Sequence, residues 1–351
     1  MASSRTARRA RAGVIAALAL YIFPASTNAQ QLSRPSGGRV DSVLLTYLGT
    51  AGWEITHGTT VILVDPYFTR LPRSSFRSWT ETRDGIPLAM LGDSVVTPDT
   101  AAINARVRRA NYVLVGHSHH DHLLDVPYIA RRTGAIVIGT ESTRNIAHAH
   151  GLADNKLITV RGGEDYDFGT FSLRVIPSLH SALAHKTFFD PRVAPRDLAP
   201  PLRLRDYPEG RTLAFLIRLG GCEIFALGSM NYIERELLGL SPDVALVGST
   251  ARRREIRDYT GRLMRALGMP RLVLPNHWDD ETLPFSDPNA TGGAGGNATG
   301  GESIGRELKA FADEVRRVSP TSRVLIPRYF EPITLASRGD GTGCHIAAPG
   351  S

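Results

Sequence analysis

The chain has 351 residues, of which 42% are hydrophobic and 21% charged, enough apolar material for the core of one large domain. The first 29 residues hold four of the 41 basic side chains and no acidic one. The remainder therefore carries 37 basic against 34 acidic groups, a net charge of +3. This near balance, with no dense Lys/Arg tract among aromatic residues, argues against a nucleic-acid-binding protein.

The N-terminal segment has the pattern of a secretory signal peptide. Four arginines between positions 5 and 11 form a basic region, the apolar run GVIAALALYIF follows, and Thr27-Asn28-Ala29 resembles a small-residue cleavage site before Gln30. Eleven apolar residues are too few to span a bilayer comfortably, so residues 1–29 are predicted to be cleaved, with an uncleaved N-terminal anchor as the alternative. We therefore expect an exported protein, periplasmic or secreted, that leaves the membrane after cleavage and consists of a single domain over residues 30–351.

In the first half of this domain, short β-branched runs alternate with helical patterns. Residues 67–99 are polar, arginine-rich and irregular, and are predicted to form an inserted loop. Asp125 is predicted to cap a helix that has a proline in its first turn. In chain order the predicted elements are the strands SVLLTYLG, WEITHG and TTVILVDP, the helix AAINARVRRA, the strand NYVLVG, the helix DVPYIARR, the strand AIVIGT, the helix ESTRNIAHAHG and the strand pair KLITV and FSLRVIPS.

The second half of the domain shows the same alternation of predicted strands and helices. Its predicted elements are the strands TLAFLIRL and CEIFAL, the helix YIERELLGL, the strand DVALVGS, the helix RREIRDYTGRLMRALG, the strand RLVLPN, the glycine-rich linker TGGAGGNATGG, the helix ESIGRELKAFADEVRRV and the strand RVLIP. Strands followed by helices in each half predict two packed β-layers with helices outside, an α/β (α+β) architecture. Cys222 and Cys344 match no zinc-binding spacing, and their pairing as a disulfide is left open.

Within the segment VLVGHSHHDHLLD, four histidines and one aspartate lie in six consecutive positions directly after an apolar strand. His117, His119 and Asp121 alternate, so on a loop at the end of a strand they can converge on one point while His122 turns towards a second. Imidazole and carboxylate groups suit Zn²⁺, and also Fe or Mn. His120 points between these ligands and is predicted to pack beside them. The sequence therefore predicts a metal site with room for one or two ions.

Further ligands are expected at the ends of other strands. His180 ends FSLRVIPSLH and His277 ends RLVLPNH, which makes both of them candidates. His185 is close enough to His180 to compete as a ligand or to touch substrate. Trp278 and Asp279 directly follow His277, and Trp278 is open to either a pocket-lining or a structural role. Three arginines of the inserted loop are in reach of a substrate anion, although exposed arginines are more often solvated: Arg70, Arg73 and Arg77.

These motifs together resemble the metallo-β-lactamase superfamily. The resemblance covers about residues 43–330 and rests on His-x-His-x-Asp-His, on TYLGTAGWEI and on ILVDP. TYLGTAGW and the DPY after a strand are most similar to the lactonase-like branch that includes ascorbate-6-phosphate lactonase. The resemblance implies a four-layer αββα sandwich with its metal site at one edge, and a small-molecule substrate.

The resemblance also implies a role for each matching residue. His117, His119 and His180 would form the first metal site, and Asp65 would support the ligand loop by hydrogen bonding. Asp121, His122 and His277 would form the second site, with Asp121 orienting the nucleophile or taking its proton. Where the family usually has an aspartate that bridges two metals, this chain has Ser229, in LGSMNYIE. A neutral hydroxyl is the poorer ligand, which makes the second site the weaker of the two.

The expected activity is that of an exported, zinc-dependent hydrolase that uses a metal-bound hydroxide on a lactone, an amide or a phosphoester. Two alternatives remain open. Export and Ser229 favour β-lactam hydrolysis, whereas the first strand and DPY argue against it. Ser229 is also compatible with a catalytically impaired metal-binding protein, although six other ligands are retained. A redox di-iron role is disfavoured because oxygen-reducing relatives have glutamate where this chain has His119.

Overall fold

Two large β-sheets form the centre of the protein, which the computed structural model describes over residues 42–76, 79–83, 86–183, 186–291, 301–338 and 343–347. The predicted signal peptide and most of the glycine-rich linker lie outside these ranges, so both stay predictions. The strands are β1 (Ser42–Gly49), β2 (Gly52–His57), β3 (Thr60–Val64), β4 (Trp79–Arg83), β5 (Ile86–Met90), β6 (Tyr112–Leu114), β7 (Ile136–Gly139), β8 (Leu157–Thr159), β9 (Asp165–Asp167), β10 (Ser172–Ser178), β11 (Phe188–Phe189), β12 (Thr212–Leu219), β13 (Cys222–Leu227), β14 (Val244–Gly248), β15 (Leu272–Asn276), β16 (Arg323–Val324), β17 (Pro332–Ser337) and β18 (Cys344–Ile346).

Each large sheet combines antiparallel and parallel strands. The first sheet has the order β18-β17-β1-β2-β3-β6-β7-β8, and the second has the order β16-β15-β14-β13-β12-β10-β9. In the first sheet β3, β6, β7 and β8 run parallel, and in the second β13, β14, β15 and β16 do so. The parallel strand VALVG (β14) is buried at every position, as expected where both faces of a sheet are covered. A small third sheet has the order β11-β5-β4.

Helices cover the outer face of each large sheet. They are α1 (Thr100–Arg106), α2 (His120–Leu123), α3 (Val126–Thr133), α4 (Glu141–Ala149), α5 (Glu234–Leu237), α6 (Tyr259–Ala266) and α7 (Gly301–Val318). One apolar core lies between the sheets, a second packs α1, α3 and α4 on the first sheet, and a third packs α5, α6 and α7 on the second. The predicted four-layer αββα sandwich is therefore confirmed. No helix among the described residues is both long and apolar enough to cross a membrane.

Three predicted elements were wrong in detail. Residues 67–99 are not wholly irregular, because β4 and β5 pair as an antiparallel hairpin. KLITV and FSLRVIPS both form strands, but β8 lies in the first sheet and β10 in the second, so they do not pair. The helix predicted over residues 253–268 is α6 alone, preceded by a 3-10 turn over Ala251–Glu255. Local periodicity does not reveal strand partners or the tertiary contacts that shorten a helix.

The two sheets are also linked covalently. Cys222 in β13 and Cys344 in β18 form a disulfide, with their Cα atoms 5.0 Å apart. The two cysteines lie 122 positions apart in the sequence, so the bridge closes a long loop. The pairing that the sequence left open is thus present.

Asp125 does not cap α3 as predicted. It occupies the residue before the helix, but its side chain makes no capping hydrogen bond. Its buried carboxylate instead accepts hydrogen bonds from the backbone N–H groups of Phe68 (2.5 Å) and Thr69 (3.0 Å) and from the Thr69 hydroxyl. Asp125 therefore ties the segment after β3 to the helix that follows the histidine cluster. Burial outweighs these hydrogen bonds and raises the pKa of Asp125 to about 6.

We expect Asp125→Asn to gain stability relative to the wild type as the pH rises from 4 to 7. A carboxyl group whose folded-state pKa lies above its usual 3.8 is favoured when protonated, so its contribution to stability is lost as the pH rises through about 6. The asparagine side chain keeps an acceptor for the backbone N–H groups and cannot ionise. The difference in free energy of unfolding between variant and wild type should shift by about 1–3 kcal/mol in favour of the variant, measured by urea denaturation at both pH values. A shift in favour of the wild type would mean that the hydrogen bonds stabilise the carboxylate more than burial disfavours it.

Candidate metal centre

The predicted ligands meet at one edge of the sandwich. Parallel strands place their carboxyl ends at the same edge of a sheet, and polar side chains that follow those ends converge there. Three sequence-predicted residues, His117, His119 and His180, follow β6 and β10, and their ligand atoms all lie within 4.8 Å of one another. All three side chains are buried. The structure therefore assembles the first predicted triad from positions more than 60 residues apart.

A second triad lies beside the first. Asp121, His122 and His277 also have ligand atoms within 4.8 Å of one another. Asp121 and His122 belong to the single turn α2, and His277 follows β15. His277 adopts a left-handed backbone conformation (φ +54°), which is uncommon outside glycine and is often found at functional sites. Its N–H donates to the Thr50 carbonyl at 2.5 Å, which holds this turn in place.

The spacing of the donor atoms fits a transition-metal ion. Four ligands at 2.0–2.1 Å around a tetrahedral Zn²⁺ lie about 3.3 Å from one another. His117 Nε2 is 3.0 Å from His119 Nδ1, and Asp121 Oδ2 is 3.1 Å from His277 Nε2 and 3.3 Å from His122 Nε2. Imidazole nitrogens and a carboxylate oxygen are ligands that zinc, iron and manganese accept. The donor set therefore suits a bound metal ion, although its distances do not select which one.

The three imidazoles of the first triad have lowered pKa values, which suits them to bind a cation. Burial, together with the neighbouring imidazoles, lowers the pKa of His117 and His119 well below its ordinary value. Burial and the charge of Arg252 lower the pKa of His180 to about 3. These three imidazoles are therefore neutral at physiological pH and keep the lone pairs that a metal requires. His180 Nδ1 lies 3.0 Å from the Ser181 carbonyl, a contact that leaves Nε2 to face the other ligands.

The second triad has a different charge balance. Burial alone would raise the pKa of Asp121, but hydrogen bonding and attraction to His122 and His277 hold it well below its usual range. Burial would lower the pKa of His122, but the carboxylates of Asp121 and Asp65 raise it to about 10. Asp121 is thus an anion at neutral pH. Asp121 would supply one negative ligand to a divalent ion at this triad, and His122 would have to lose its proton to serve as a ligand.

Asp65 contacts both the backbone before His117 and the side chain of His122. Its Oδ1 accepts a hydrogen bond from the N–H of Gly116 at 2.6 Å, and its Oδ2 lies 2.9 Å from His122 Nδ1. A Cβ atom on Gly116 would lie 2.9 Å from Asp65 Oδ2, so only glycine fits here. Asp65 itself has a φ of +43°. Its side chain therefore lies where the resemblance placed it, between the strand end and the ligand loop.

A narrow cavity of about 160 Å³ opens onto both triads. His119, Asp121, His180 and His277 line it, and Phe76, Leu91 and Phe189 form apolar parts of its wall. The Phe189 ring packs edge-on against His119 at 4.9 Å and His180 at 5.3 Å. The cavity therefore combines converging ligands with a partly apolar wall.

A family model described as a beta-lactamase superfamily domain matches residues 44–277, about two thirds of the chain. The chain belongs to the metallo-β-lactamase superfamily.

Curated proteins similar to this chain are named metal-dependent hydrolases. A UPF0173 metal-dependent hydrolase from Carboxydothermus hydrogenoformans is 28% identical over 138 residues, which is 39% of this chain and 48% of that protein. One from Heliobacterium modesticaldum is 25% identical over 208 residues, 58% of this chain and 63% of that protein. The chain thus spans about half to three fifths of the length of these relatives.

Two solved structures share the fold. Igni18, a metallo hydrolase from Ignicoccus hospitalis, has a TM-score of 0.51 and 17% identity, covering 84% of this chain and 98% of its own. CmlA, a diiron β-hydroxylase from Streptomyces venezuelae, has a TM-score of 0.50 and 14% identity, covering 84% of this chain and 54% of its own. At this identity the likeness extends to the fold alone, and the fold does not select the reaction.

Ser229 is the residue that the sequence resemblance places where the family usually has a metal-bridging aspartate. It lies at the cavity wall, two residues after β13. Its Oγ accepts a hydrogen bond from the N–H of Ser181 at 2.9 Å and lies 2.8 Å from the Ser181 hydroxyl, which in turn accepts from the N–H of Met230 at 2.9 Å. In this chain Ser229 therefore fixes the turn that carries His180.

We expect the second triad to bind its metal more weakly than the first, and Ser229→Asp to tighten it. Without a bridging carboxylate, the second ion depends on Asp121, His122 and His277 alone, and an added anion supplies both coordination and charge. Metal stoichiometry by titration should show one tight and one weaker ion in the wild type, with Ser229→Ala as a control that removes the hydroxyl without adding charge. Two equally tight ions in the wild type would contradict the weak second site.

Among three residues beside the ligands, Arg70 and Asp279 have roles that differ from those the sequence suggested, whereas Trp278 has the structural one of its two open roles. Trp278 does not line the metal-site cavity among the described residues, and instead stacks on Tyr47 with ring centroids 5.7 Å apart. Arg70, predicted to reach a substrate anion, forms a buried ion pair with Asp279 at 2.6 Å. Asp279 therefore anchors the segment after His277 rather than offering a free carboxylate. An aromatic or charged residue next to a ligand gives no sequence signal that separates these two roles.

Glu281 and Arg252 also line the cavity and were missed by the sequence analysis. Burial and the negative charge of Asp121 raise the pKa of Glu281 to about 7, and its Oε2 has no hydrogen-bond partner within the described part of the chain. The Arg252 guanidinium lies 5.6 Å from the centre of the Phe189 ring. Both residues, with His277, also line an adjoining cavity of about 530 Å³. They follow strand ends by several residues, so no short motif marks them.

The remaining candidates are placed as follows. His120 is buried, with its ring near Tyr67 and Phe76 at 5.8 and 5.1 Å, which is a packing environment. Arg73 is exposed and pairs with Asp280 at 3.3 Å. His185 and Arg77 lie outside the described residues, so their predicted roles stay predictions.

Proposed function

We propose that the protein is an exported, metal-dependent hydrolase that holds zinc and cleaves a lactone, amide or phosphoester bond of a small molecule. The observation that carries this proposal is the pair of buried triads, His117/His119/His180 and Asp121/His122/His277, at one cavity. Membership of the superfamily and the names of its curated relatives support metal-dependent hydrolysis. Zinc is the ion of this proposal because imidazole and carboxylate groups are among its usual ligands in hydrolases.

Zinc, when bound, lowers the pKa of a coordinated water from 15.7 to about 7 and polarises a carbonyl or phosphoryl oxygen. The chain's own residues supply the rest of the reaction. Asp121, an anion at neutral pH, orients the attacking water and accepts its proton. Phe76, Leu91 and Phe189 limit access of bulk water, which strengthens electrostatic interactions within the cavity. Glu281, with its raised pKa, lies at the cavity wall where it can exchange a proton with a leaving group.

Export is supported by two features of the chain. Residues 1–29 have the composition of a cleavable signal, and Cys222 pairs with Cys344, as expected for an oxidising compartment. N-terminal sequencing of protein recovered from the periplasm or medium should begin at Gln30. Protein retained in the cytoplasm with an intact N-terminus would contradict export.

The substrate class is best tested by metal analysis together with a substrate panel. The panel contains chromogenic lactone, ester, anilide, phosphodiester and cephalosporin substrates, assayed with protein of known metal content. We expect metal-dependent turnover of at least one lactone, ester, anilide or phosphodiester, with the lactone first if TYLGTAGW and DPY mark the lactonase-like branch. Turnover of the cephalosporin alone would favour the β-lactam alternative. Stoichiometric zinc without any turnover would favour a catalytically impaired metal-binding protein.

A further inference from the structure

A second cavity, of about 620 Å³, opens further along the edge that carries the metal centre. Thr140 follows β7 and Arg161 follows β8, and these two strands are parallel neighbours, so both residues lie at the carboxyl end of the first sheet. The N-terminus of α4 points to the same place, with Thr140 as its cap. In α/β sheets such crevices are common ligand sites, and a helix N-terminus favours anions. Among the described residues, none that lines this cavity also lines the metal-site cavity.

The lining of this cavity is strongly basic. Four arginines and a single acidic residue, Glu141, surround it, which gives a formal charge of +3: Arg144, Arg161, Arg196 and Arg211. Glu141 is engaged by Arg196 at 2.9 Å, and Arg144 pairs outside the cavity with Asp154 at 2.8 Å. Arg161 and Arg211 are exposed, and within the described ranges neither side chain forms an ion pair with a carboxylate, although the charge of Arg161 contributes to lowering the pKa of Glu141. After these two ion pairs, two guanidinium groups of the cavity remain without an ion-pair partner.

The backbone at this cavity is held in an uncommon shape. Arg211 has a φ of +76° and Gly210, which also lines the cavity, has a φ of +66°. A Cβ atom on Gly210 would collide with the side chains of Ser142 and Ser118. The Ser118 hydroxyl bonds to the carbonyls of Pro208 and Glu209, which fixes this segment against the ligand loop. These contacts fix the backbone position of Gly210 and Arg211 at the cavity.

We propose that this cavity binds the phosphate group of a soluble small molecule, held by Arg161 and Arg211. Guanidinium groups match phosphate through paired N–H donors, and two of them balance its two negative charges. The volume is in the range of small-molecule sites, and the concave shape favours a soluble ligand over a flat membrane surface. The proposal is independent of the reaction at the metal centre.

The test is calorimetric titration of the full chain with inorganic phosphate and with a phosphomonoester, glycerol 3-phosphate. Arg161→Met/Arg211→Met should weaken phosphate binding by about 10- to 100-fold, the loss expected for charge-assisted hydrogen bonds. The control Arg108→Met/Arg271→Met lowers net charge by the same amount at exposed positions outside the cavity, and should bind as the wild type does.

Phosphate is also a ligand for metals, so each titration is repeated after chelation. We expect binding to persist in metal-stripped protein and to be lost only in the Arg161/Arg211 variant. Binding that disappears on chelation would assign phosphate to the metal centre and overturn the proposal. Equal weakening in both arginine variants would mean that net charge alone accounts for the loss of affinity. Binding to vesicles that contain phosphatidic acid, without binding to inorganic phosphate or glycerol 3-phosphate, would mean that the ligand is a lipid and not a soluble molecule. Either result would also overturn it.

Discussion

Replacing both His117 and His119 by alanine is expected to remove the tightly bound metal and to lower turnover by more than about a thousandfold. These residues supply two of the three nitrogens of the first triad, so the double variant leaves His180 as the only one of the three. Loss of the ion also removes the lowering of the bound water's pKa from 15.7 to about 7, on which a neutral-pH hydroxide depends. Metal content by mass spectrometry and turnover of the best panel substrate measure both effects.

The matched control replaces two exposed histidines, His148→Ala/His345→Ala. It removes the same number of imidazoles and should keep wild-type metal content and turnover. Circular dichroism of each variant separates metal loss from unfolding. A folded His117/His119 double variant with wild-type metal content would exclude this triad as the metal site.

Replacing Arg70 by methionine is expected to lower the free energy of unfolding by about 3–5 kcal/mol, the usual cost of breaking a buried ion pair. Arg70 Nη1 lies 2.6 Å from Asp279 Oδ2, its Nε donates to the Leu283 carbonyl at 2.8 Å and its Nη2 to the Asp280 carbonyl at 2.6 Å. Burial would raise the pKa of Asp279, but Arg70 and its other partners hold it below its usual value. Without Arg70 this carboxylate remains buried and unbalanced.

The sign of the pH dependence follows from that lowered pKa. An acid whose folded-state pKa is depressed stabilises the fold above its ordinary value of 3.8, and the contribution is lost as the pH falls through the lower folded-state value. The cost of Arg70→Met should therefore be largest near pH 7 and shrink as Asp279 becomes protonated. Denaturant unfolding at pH 7 and pH 4 measures the difference.

Arg73→Met is the control for Arg70→Met. Arg73 pairs with Asp280 at 3.3 Å, but 82% of its side chain is exposed, so its loss should cost less than about 1 kcal/mol. The double variant Arg70→Met/Asp279→Asn, which removes the stranded charge, should recover part of the lost stability. Equal costs for Arg70→Met and Arg73→Met would contradict the buried role of the Arg70–Asp279 pair.

Much of the candidate site was predictable because its ligands obey local rules. His117, His119, Asp121 and His122 lie in one dense motif after a strand, and His277 ends another strand. Metal ligands need particular side chains at positions where strands end, and both conditions can be read from a one-dimensional sequence. The sandwich was predictable for a similar reason, since β-branched runs and amphipathic helices alternate along the chain.

The residues that sequence analysis missed depend on contacts between distant segments. Arg70 and Asp279 lie 209 positions apart, and only folding turns an apparent loop arginine into a buried ion-pair partner. Glu281 gains its raised pKa from burial beside Asp121, 160 positions away in the chain, and nothing local indicates it. Asp125 was predicted to cap a helix, but its carboxylate accepts hydrogen bonds from the backbone N–H groups of Phe68 and Thr69 instead. Tertiary context overrides local preference in each case.

Stepwise reconstitution of metal-stripped protein tests metal-dependent hydrolysis at this centre most directly. Zn²⁺ is added in substoichiometric portions, and bound metal and turnover are measured in the same samples, with His117→Ala/His119→Ala treated in parallel. We predict no turnover in the stripped wild type, recovery in step with the first equivalent of bound metal, and no recovery in the double variant. Full turnover without metal, or equal recovery in the double variant, would contradict a hydrolase that works through these histidines.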